Sequence, residues 1–379
     1  MIKVLFVVHS YENEIDDPDI FLDRIHTLRE WTESLTANGI TCIAYLRYHT
    51  DRTILRNNIK YVFIKDQYGP LLKSWQIPHR LHDAISNESY DVIHLHNLNA
   101  VLPHYHLLSI HKGKTPVVIQ NHGEQPDNWI RTFLQKRLLK SVSGVFFNSR
   151  GQEDLWVEKK VINPEQVYIV PEASTMMRRS LSTNDMASGE LTGKPNFLWV
   201  GHLNRNKDPL TILIAFREII HTHPEALLSM IFREEDKSLG IRELISNDKT
   251  LKNQVILVGE KSREELVQYY SRADYFILGS HREYTGYSAM EAIACGLVPI
   301  LTDIPAFRRL TDDGRVGKLF KAGNHRDLLS KMKEILSEDI QSTRKKTLAY
   351  FNEHLSYEAI TPLIKESYQA IIDRFQQSH

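Results

Sequence analysis

Cysteine is almost absent: two in 379 residues, Cys42 and Cys295, far apart and neither in a C-x-x-C pair. That argues against a disulfide framework or a thiolate zinc site and fits a reducing compartment, so a cytoplasmic protein is expected. An excess of one charge is missing too. Lys plus Arg and Asp plus Glu are 47 each, so no overall field would draw the chain to nucleic acid. The opening MIKVLFVVHSYENE is apolar only from Val4 to Val8 and then turns acidic, too short for a signal segment or a membrane span; residues 2–9 read as a first buried strand. Both standard phosphate fingerprints are lacking, since no G-x-G-x-x-G follows the first strand and no G-x-x-x-x-G-K-[ST] occurs. A simple dehydrogenase and a P-loop NTPase are thereby disfavoured.

What is present is ordinary globular composition, 42% hydrophobic and 25% charged, over a length that predicts two domains with a core each. Short β-branched runs alternate with segments of helical period, the pattern of a parallel sheet covered by helices. Strands are predicted over 3–8, 41–45, 61–64, 92–96, 116–120, 144–148 and 168–170, with helices between them that include 20–38, 79–86, 128–141 and 151–157. The run from Met176 to Pro195 collects Ser, Thr, Asn, Gly and Pro and reads as a linker. The pattern then restarts, with strands over 197–200, 228–232, 255–258, 275–278 and 298–302 and helices over 209–221, 263–271, 287–295 and 324–337. Residues 357–377 close the chain as one or two helices. The expected division is an N-terminal domain over 1–172, a linker over 173–195 and a C-terminal domain over 196–356, with the closing helix packed back on the first.

Chemistry concentrates in HREYTGYSAMEAIACGLVPILTD, where a strand ends near Leu278, a polar turn follows and Gly286 precedes a helix that Gly296 terminates. The start of that helix offers N–H groups and a positive dipole end suited to a diphosphate. Glu283 in the turn and Glu291 inside the helix are poor phosphate ligands, so they are expected to accept hydrogen bonds from sugar hydroxyls.

The segment E-Y-T-G-Y-S-A-M-E resembles the E-x7-E motif of the retaining family 4 glycosyltransferases (glycosyl transferases group 1), which have the GT-B fold. SRADYFILGS before it and EAIACGLVPILTDIPAFRR after it are similar to the same family, and VGHLNRNKDPLTILIAF at 200–216 resembles its phosphate-contacting segment. DVIHLHNL, VIQNHG and VYIVPEAS resemble its N-domain strands and domain crossover. The resemblance implies an α/β protein of two doubly wound Rossmann-like domains facing across a cleft, the second binding a nucleoside-diphosphate sugar and the first an acceptor. At matching positions it implies that Lys207 meets the donor diphosphate and Glu283 the donor sugar. Glu291 would take the ribose, and the backbone of Thr285, Gly286, Tyr287 and Ser288 the diphosphate. His122 would reach the sugar and phosphate, and Gly259, Glu260 and Lys261 would lie by the base. Where the family has Arg two residues after Val200 this chain has His202, so either His202 or Arg205 is the second candidate cation for the diphosphate. The family's glycine pair after the first strand is replaced by HSYENEIDDPDIF, and its crossover Asn-Gly-Val-Asp by Pro171-Glu172-Ala173-Ser174.

The implied activity is hexosyl transfer with retention from a UDP- or GDP-sugar to a glycan or lipid-linked acceptor, as in cell-surface polysaccharide or glycoconjugate synthesis, without a cofactor or metal. Two rivals remain: a related enzyme such as an epimerase or phosphorylase, and a catalytically silent glycan-binding module. His94 and His96 share a strand face, and His104 and His106 repeat the spacing, but no Asp, Glu or Cys completes a metal set. Over 129–142 the chain mixes Trp129, Phe133, Leu134 and Leu138 with Arg131, Lys136, Arg137 and Lys140, which makes it a candidate for peripheral contact with an anionic membrane surface.

Overall fold

Successive residues of a strand point to opposite faces, and the first strand shows what this chain does with them. In β1 (Lys3–Val8), Val4 and Phe6 enter one core cluster while Leu5 and Val7 enter another. Both faces are thus covered, which is why the run is apolar throughout instead of alternating. The computed structural model describes residues 2–11, 15–73, 75–86, 88–126, 128–179 and 193–378. It divides into Met1–Ser174 with Tyr357–His379, and Thr175–Ser356. Part of the run read as a linker, 180–192, lies outside the described residues.

The first unit is an eight-stranded sheet of β1, β2 (Thr41–Tyr48), β3 (Arg52–Arg56), β4 (Ile59–Lys65), β5 (Val92–His96), β6 (Val117–Gln120), β7 (Gly144–Phe147) and β8 (Val167–Ile169), in the order β3-β4-β2-β1-β5-β6-β7-β8. Every pairing is parallel except β3 with β4. The edge strand β3 is absent from the strands the sequence predicts. Its signal is Asn57-Asn58, both at positive φ (51° and 63°), the residue type and conformation a tight hairpin turn requires. The helix expected over 20–38 is two, Pro18–Arg24 and His26–Ala37, separated at Ile25, whose ψ of 43° leaves the helical range. No Gly or Pro marks the break, so composition does not signal it. The closing helix Tyr357–Ser378 packs Ile360, Ile364 and Tyr368 against Phe6, Trp31 and Tyr61. It is tied down by Ser34 Oγ to Thr361 Oγ1 (2.8 Å) and by His94 Nδ1 to the Tyr368 hydroxyl (2.7 Å).

The second unit is an all-parallel six-stranded sheet: β9 (Asn196–Val200), β10 (Leu227–Ile231), β11 (Val255–Gly259), β12 (Tyr275–Leu278), β13 (Val298–Thr302) and β14 (Lys318–Phe320), in the order β11-β10-β9-β12-β13-β14. The strand β14 is absent from those the sequence predicts. In each sheet the chain winds outward one way and then returns to wind the other. The reversals fall at β1/β5 and at β9/β12, and the crevice beyond the carboxyl ends of such strands is where ligands of open α/β sheets bind. Among the described residues no helix is long and apolar enough to cross a membrane.

Candidate active site

The loop after β9 and the turn after β12 flank the second unit's reversal point, and polar side chains lock them together. Asn204 Oδ1 accepts from the Lys207 backbone N–H (3.0 Å). Asn206 then bridges to the other turn: its Nδ2 donates to the Arg282 carbonyl (3.0 Å), its Oδ1 accepts from the Arg282 N–H (3.1 Å), and its carbonyl accepts from the His281 N–H (2.8 Å). Asp208, in the left-handed region (φ 43°), caps the helix Pro209–Thr222 by accepting from the Thr211 N–H (3.1 Å). Gly279 lets the two backbones close, because a Cβ there would lie 3.0 Å from the Asp208 carbonyl oxygen and 3.3 Å from that of Lys207. The result is an ion pair of the Lys207 ammonium with the Glu283 carboxylate, with side chains 16% and 13% exposed.

Four residues past Glu283 begins the helix Tyr287–Ala294. Its N-cap, Gly286, has φ 74°, and no side chain caps the helix. Thr285 and Gly286 are buried, whereas Tyr287 and Ser288 are half-buried. The dipole end and its N–H donors stand close in sequence to the Lys207–Glu283 pair. Glu291, on the same helix, is nearly buried. The Tyr270 hydroxyl donates to its Oε2 (3.2 Å) and Arg263 Nη1 lies 3.9 Å from its Oε1. Burial first, and then the neighbouring Glu291 charge, push the Tyr270 pKa well above the ordinary phenol value, so the hydroxyl stays a donor. Tyr270 and Arg263 belong to the helix Arg263–Arg272, and nothing in their spacing to Glu291 announces the contact.

The remaining residues singled out in this half sit on other partners. His202 Nδ1 is 3.6 Å from Glu234 Oε2. Arg205 is exposed, and its charge acts on Asp236, adding to the Ser238 hydrogen bonds that hold that carboxyl below its usual range. Gly259 ends β11 at φ 83°, and Glu260 is exposed. Lys261 Nζ lies 3.1 Å from Oε1 of Glu265, the residue that forms a capping box with Ser262.

In the first unit His122 follows β6. Its Nδ1 lies 2.7 Å from Glu172 Oε2, its Nε2 2.9 Å from His96 Nδ1, and its backbone N–H donates to Glu124 Oε2 (2.8 Å). Burial works to lower its pKa, but the contact with Glu172 and the charges of Glu172 and Glu124 prevail, and the pKa is raised above the ordinary histidine value. The other imidazoles gathered around the carboxyl ends of β1 and β5 go the opposite way. Burial and mutual repulsion lower His9 and His96 well below that value, His94 and His104 to about 3 and His82 to about 2. His122 is thus set apart electrostatically within the cluster. Among the described residues no group of three or more His, Cys, Asp or Glu is placed to hold a metal ion.

Known proteins resemble the chain over nearly its whole length. Residues 182–352 match the family model described as glycosyl transferases group 1, and residues 26–173 that of glycosyltransferase family 4. A GDP-mannose:cellobiosyl-diphosphopolyprenol alpha-mannosyltransferase of Xanthomonas oryzae is 25% identical over 310 residues, 78% of each chain. A D-inositol 3-phosphate glycosyltransferase of Pseudarthrobacter chlorophenolicus is 23% identical over 304 residues, covering 75% of this chain and 72% of its own. Among solved structures, sucrose-phosphate synthase of Thermosynechococcus elongatus superposes with a TM-score of 0.72 at 18% identity over 99% of this chain and 100% of its own. The Anabaena HepE protein in complex with UDP and glucose has a TM-score of 0.69 at 13% identity, covering 98% of this chain and 100% of its own.

Proposed function

The chain belongs to the GT-B glycosyltransferases, its first half to glycosyltransferase family 4 and its second to glycosyl transferases group 1, and from that premise we propose that it transfers a hexosyl group, with retention, from a nucleoside-diphosphate sugar to a glycan or lipid-linked acceptor. The observation that carries the reading is the Asn206 latch, which holds Lys207 against Glu283 at the β9/β12 reversal, next to the start of the Glu291 helix. One compact ammonium and a row of N–H donors suit a diphosphate, and two nearby carboxylates suit hydroxyls. In this reading Lys207 and the backbone of 285–288 stabilise charge developing on the leaving diphosphate. Glu283 orients the donor sugar, Glu291 the ribose, and Gly259, Glu260 and Lys261 border the base. His122 contacts the sugar and phosphate. The leaving phosphate takes the acceptor proton, so the mechanism calls for no protein nucleophile and no metal ion.

Because Lys207 pairs with Glu283, donor binding has to divide them: the ammonium turns to the diphosphate and the carboxylate to the sugar. This exchange couples sugar recognition to diphosphate binding. A UDP- or GDP-sugar is the favoured donor; the name of one relative contains GDP-mannose, and HepE was solved with UDP. That same relative's name includes a cellobiosyl-diphosphopolyprenol, in keeping with a lipid-linked acceptor and with polysaccharide or glycoconjugate synthesis at the cytoplasmic membrane face. The helix Trp129–Leu139 supports membrane contact, since Trp129 (81% exposed), Ile130 and Phe133 stand in solvent beside Arg131, Lys136 and Arg137.

Calorimetric titration with UDP-, GDP- and ADP-sugars, followed by transfer from the donor that binds and NMR assignment of the product anomer, tests the proposal. Binding of one class and a product with the donor's configuration is expected. No binding by any of the three refutes the donor assignment, and an inverted product refutes retention.

A further inference from the structure

We propose that a cavity at the carboxyl end of β4 binds the acceptor as a pyranose ring bearing an acidic group, with Lys65 as the cation for that group. The proposal rests on the reading of the chain as a transferase to a glycan or lipid-linked acceptor, and every residue it uses lies in the first unit.

The cavity has a volume of about 350 Å³, at the small end of the range of about 300–1,000 Å³ for ligand sites. Lys65 is the last residue of β4, and the lining continues through Gln67 and Tyr68 to Ile77 and Arg80 at the start of the helix His79–Ser86. Ligands of open α/β sheets sit outside the carboxyl ends of the strands, which is where this cavity opens.

A buried ion pair fixes its floor. Arg47, in β2 and fully buried, sets its Nε 2.7 Å from Asp66 Oδ2. The other two nitrogens donate to carbonyls of the loop that follows: Nη2 to Gly69 and to Tyr68 (3.4 Å), and Nη1 to Pro70 (3.4 Å). Nη1 also donates to the His9 carbonyl after β1 (2.5 Å), which ties two loops to one guanidinium. Asp66 Oδ1 accepts from the Tyr68 N–H (2.6 Å), so both oxygens of this carboxylate are occupied and its charge is matched. The rim is pinned by Asp51. Its Oδ1 accepts from the Lys65 backbone N–H (2.8 Å) and its Oδ2 from Arg80 Nη2 (3.0 Å), while Arg80 Nη1 donates to the Lys65 carbonyl (2.8 Å).

With Asp66 matched to Arg47 and Asp51 to Arg80, one positive charge is left over. The Lys65 ammonium acts on Asp51 from a distance, and among the described residues it forms no ion pair. Tyr68, Ile77 and Pro78 give the lining aromatic and apolar surface, and Gln67 and His79 give it polar groups. A pyranose has the same two characters, since its C–H face packs on aromatic and aliphatic groups while its hydroxyls donate and accept. The surplus ammonium favours a ring that carries a carboxylate or a phosphate over a neutral one, because a charge-assisted bond is the stronger.

Saturation-transfer NMR on the full chain tests this with methyl β-D-glucuronide and glucose 6-phosphate, two sources of the acidic group, against neutral methyl β-D-glucoside. The proteins are wild type, Lys65→Ala and Ile77→Trp, the last to fill the cavity, and UDP and GDP are titrated into the same preparations. Lys65 is exposed, so its truncation spares the fold. At least one acidic sugar is expected to bind wild type about fivefold more tightly than the glucoside, the value of one partly screened charged contact. Lys65→Ala should abolish that preference and Ile77→Trp should weaken the acidic sugar about tenfold, with nucleotide affinity unchanged in both. A response to the glucuronide alone identifies a uronate, and one to glucose 6-phosphate alone a phosphorylated sugar. Equal binding of acidic and neutral sugars overturns the proposal, as does binding by none of the three or binding that neither substitution alters. Sugar binding as expected in a wild-type protein that takes up neither UDP nor GDP keeps the cavity as a sugar site and sinks the donor reading instead.

Discussion

Glu283→Gln keeps the shape of the side chain and removes its charge, so it separates the two roles assigned to that residue. The Glu283 carboxylate pairs with Lys207, and both side chains are mostly shielded from water. A diphosphate arriving at Lys207 must displace that carboxylate and then sit near it. Two unit charges about 5 Å apart at an effective dielectric of 20–40 repel by about 2–3 kcal/mol, and the residual exposure of the site screens this to about 1 kcal/mol. Loss of the charge should accordingly leave UDP or GDP affinity unchanged or raise it up to about fivefold. Sugar transfer should move the other way, because a carboxylate accepting from sugar hydroxyls is replaced by an amide that accepts more weakly. Loss of one preorganised polar contact in the transition state costs on the order of 10²-fold in rate. Calorimetry with the free nucleoside diphosphate and steady-state transfer on the same preparation measure both. Weaker nucleotide binding with unimpaired transfer would refute the assignment, and parallel losses in both would place Glu283 at the nucleotide instead.

Glu291→Ala should weaken the free nucleoside diphosphate itself by about tenfold, the typical worth of a charged hydrogen bond, read by the same titration. Because Tyr270 donates to Glu291, Tyr270→Phe should cost less than Glu291→Ala, and an order reversed between the two would contradict the ribose role. Treatment with EDTA is expected to leave transfer intact; loss of activity restored by Mg²⁺ or Mn²⁺ would contradict the proposed metal-free mechanism. At Gly286 an added Cβ would come within 2.7 Å of Phe307 Cε1 in a backbone conformation that L-residues avoid, so Gly286→Ala should destabilise the protein by about 1–3 kcal/mol, seen as a lowered Tm. Sedimentation with vesicles of phosphatidylglycerol and phosphatidylcholine should capture the wild-type chain at low salt and lose it in a Trp129→Ser/Phe133→Ser variant; equal capture of both would remove the helix Trp129–Leu139 from any membrane surface.

The strands were legible because burial on a strand's two faces is written into consecutive residues: β1, β5, β12 and β13 coincide with the runs expected from β-branched content alone. Elements whose cues are weaker escaped, notably the exposed edge strand β3, whose evidence is two asparagines in a turn, and the break at Ile25, which no helix-breaking residue marks. Lys207, Glu283 and Glu291 could be singled out because each lies in a local motif with its own spacing. That Lys207 and Glu283 touch, 76 positions apart, follows from β9 and β12 lying side by side, and Asn206 acquires its bridging role only through that adjacency. The same holds for Tyr270 on Glu291 and for Glu172 on His122: each partner comes from a different element, so no window of sequence contains both. Short-range patterning determines which residues are buried and in what secondary structure. The order of strands in a sheet decides which buried polar groups meet, and with that which of them carry charge, because ionisation depends on neighbours within a few ångströms whatever their distance along the chain.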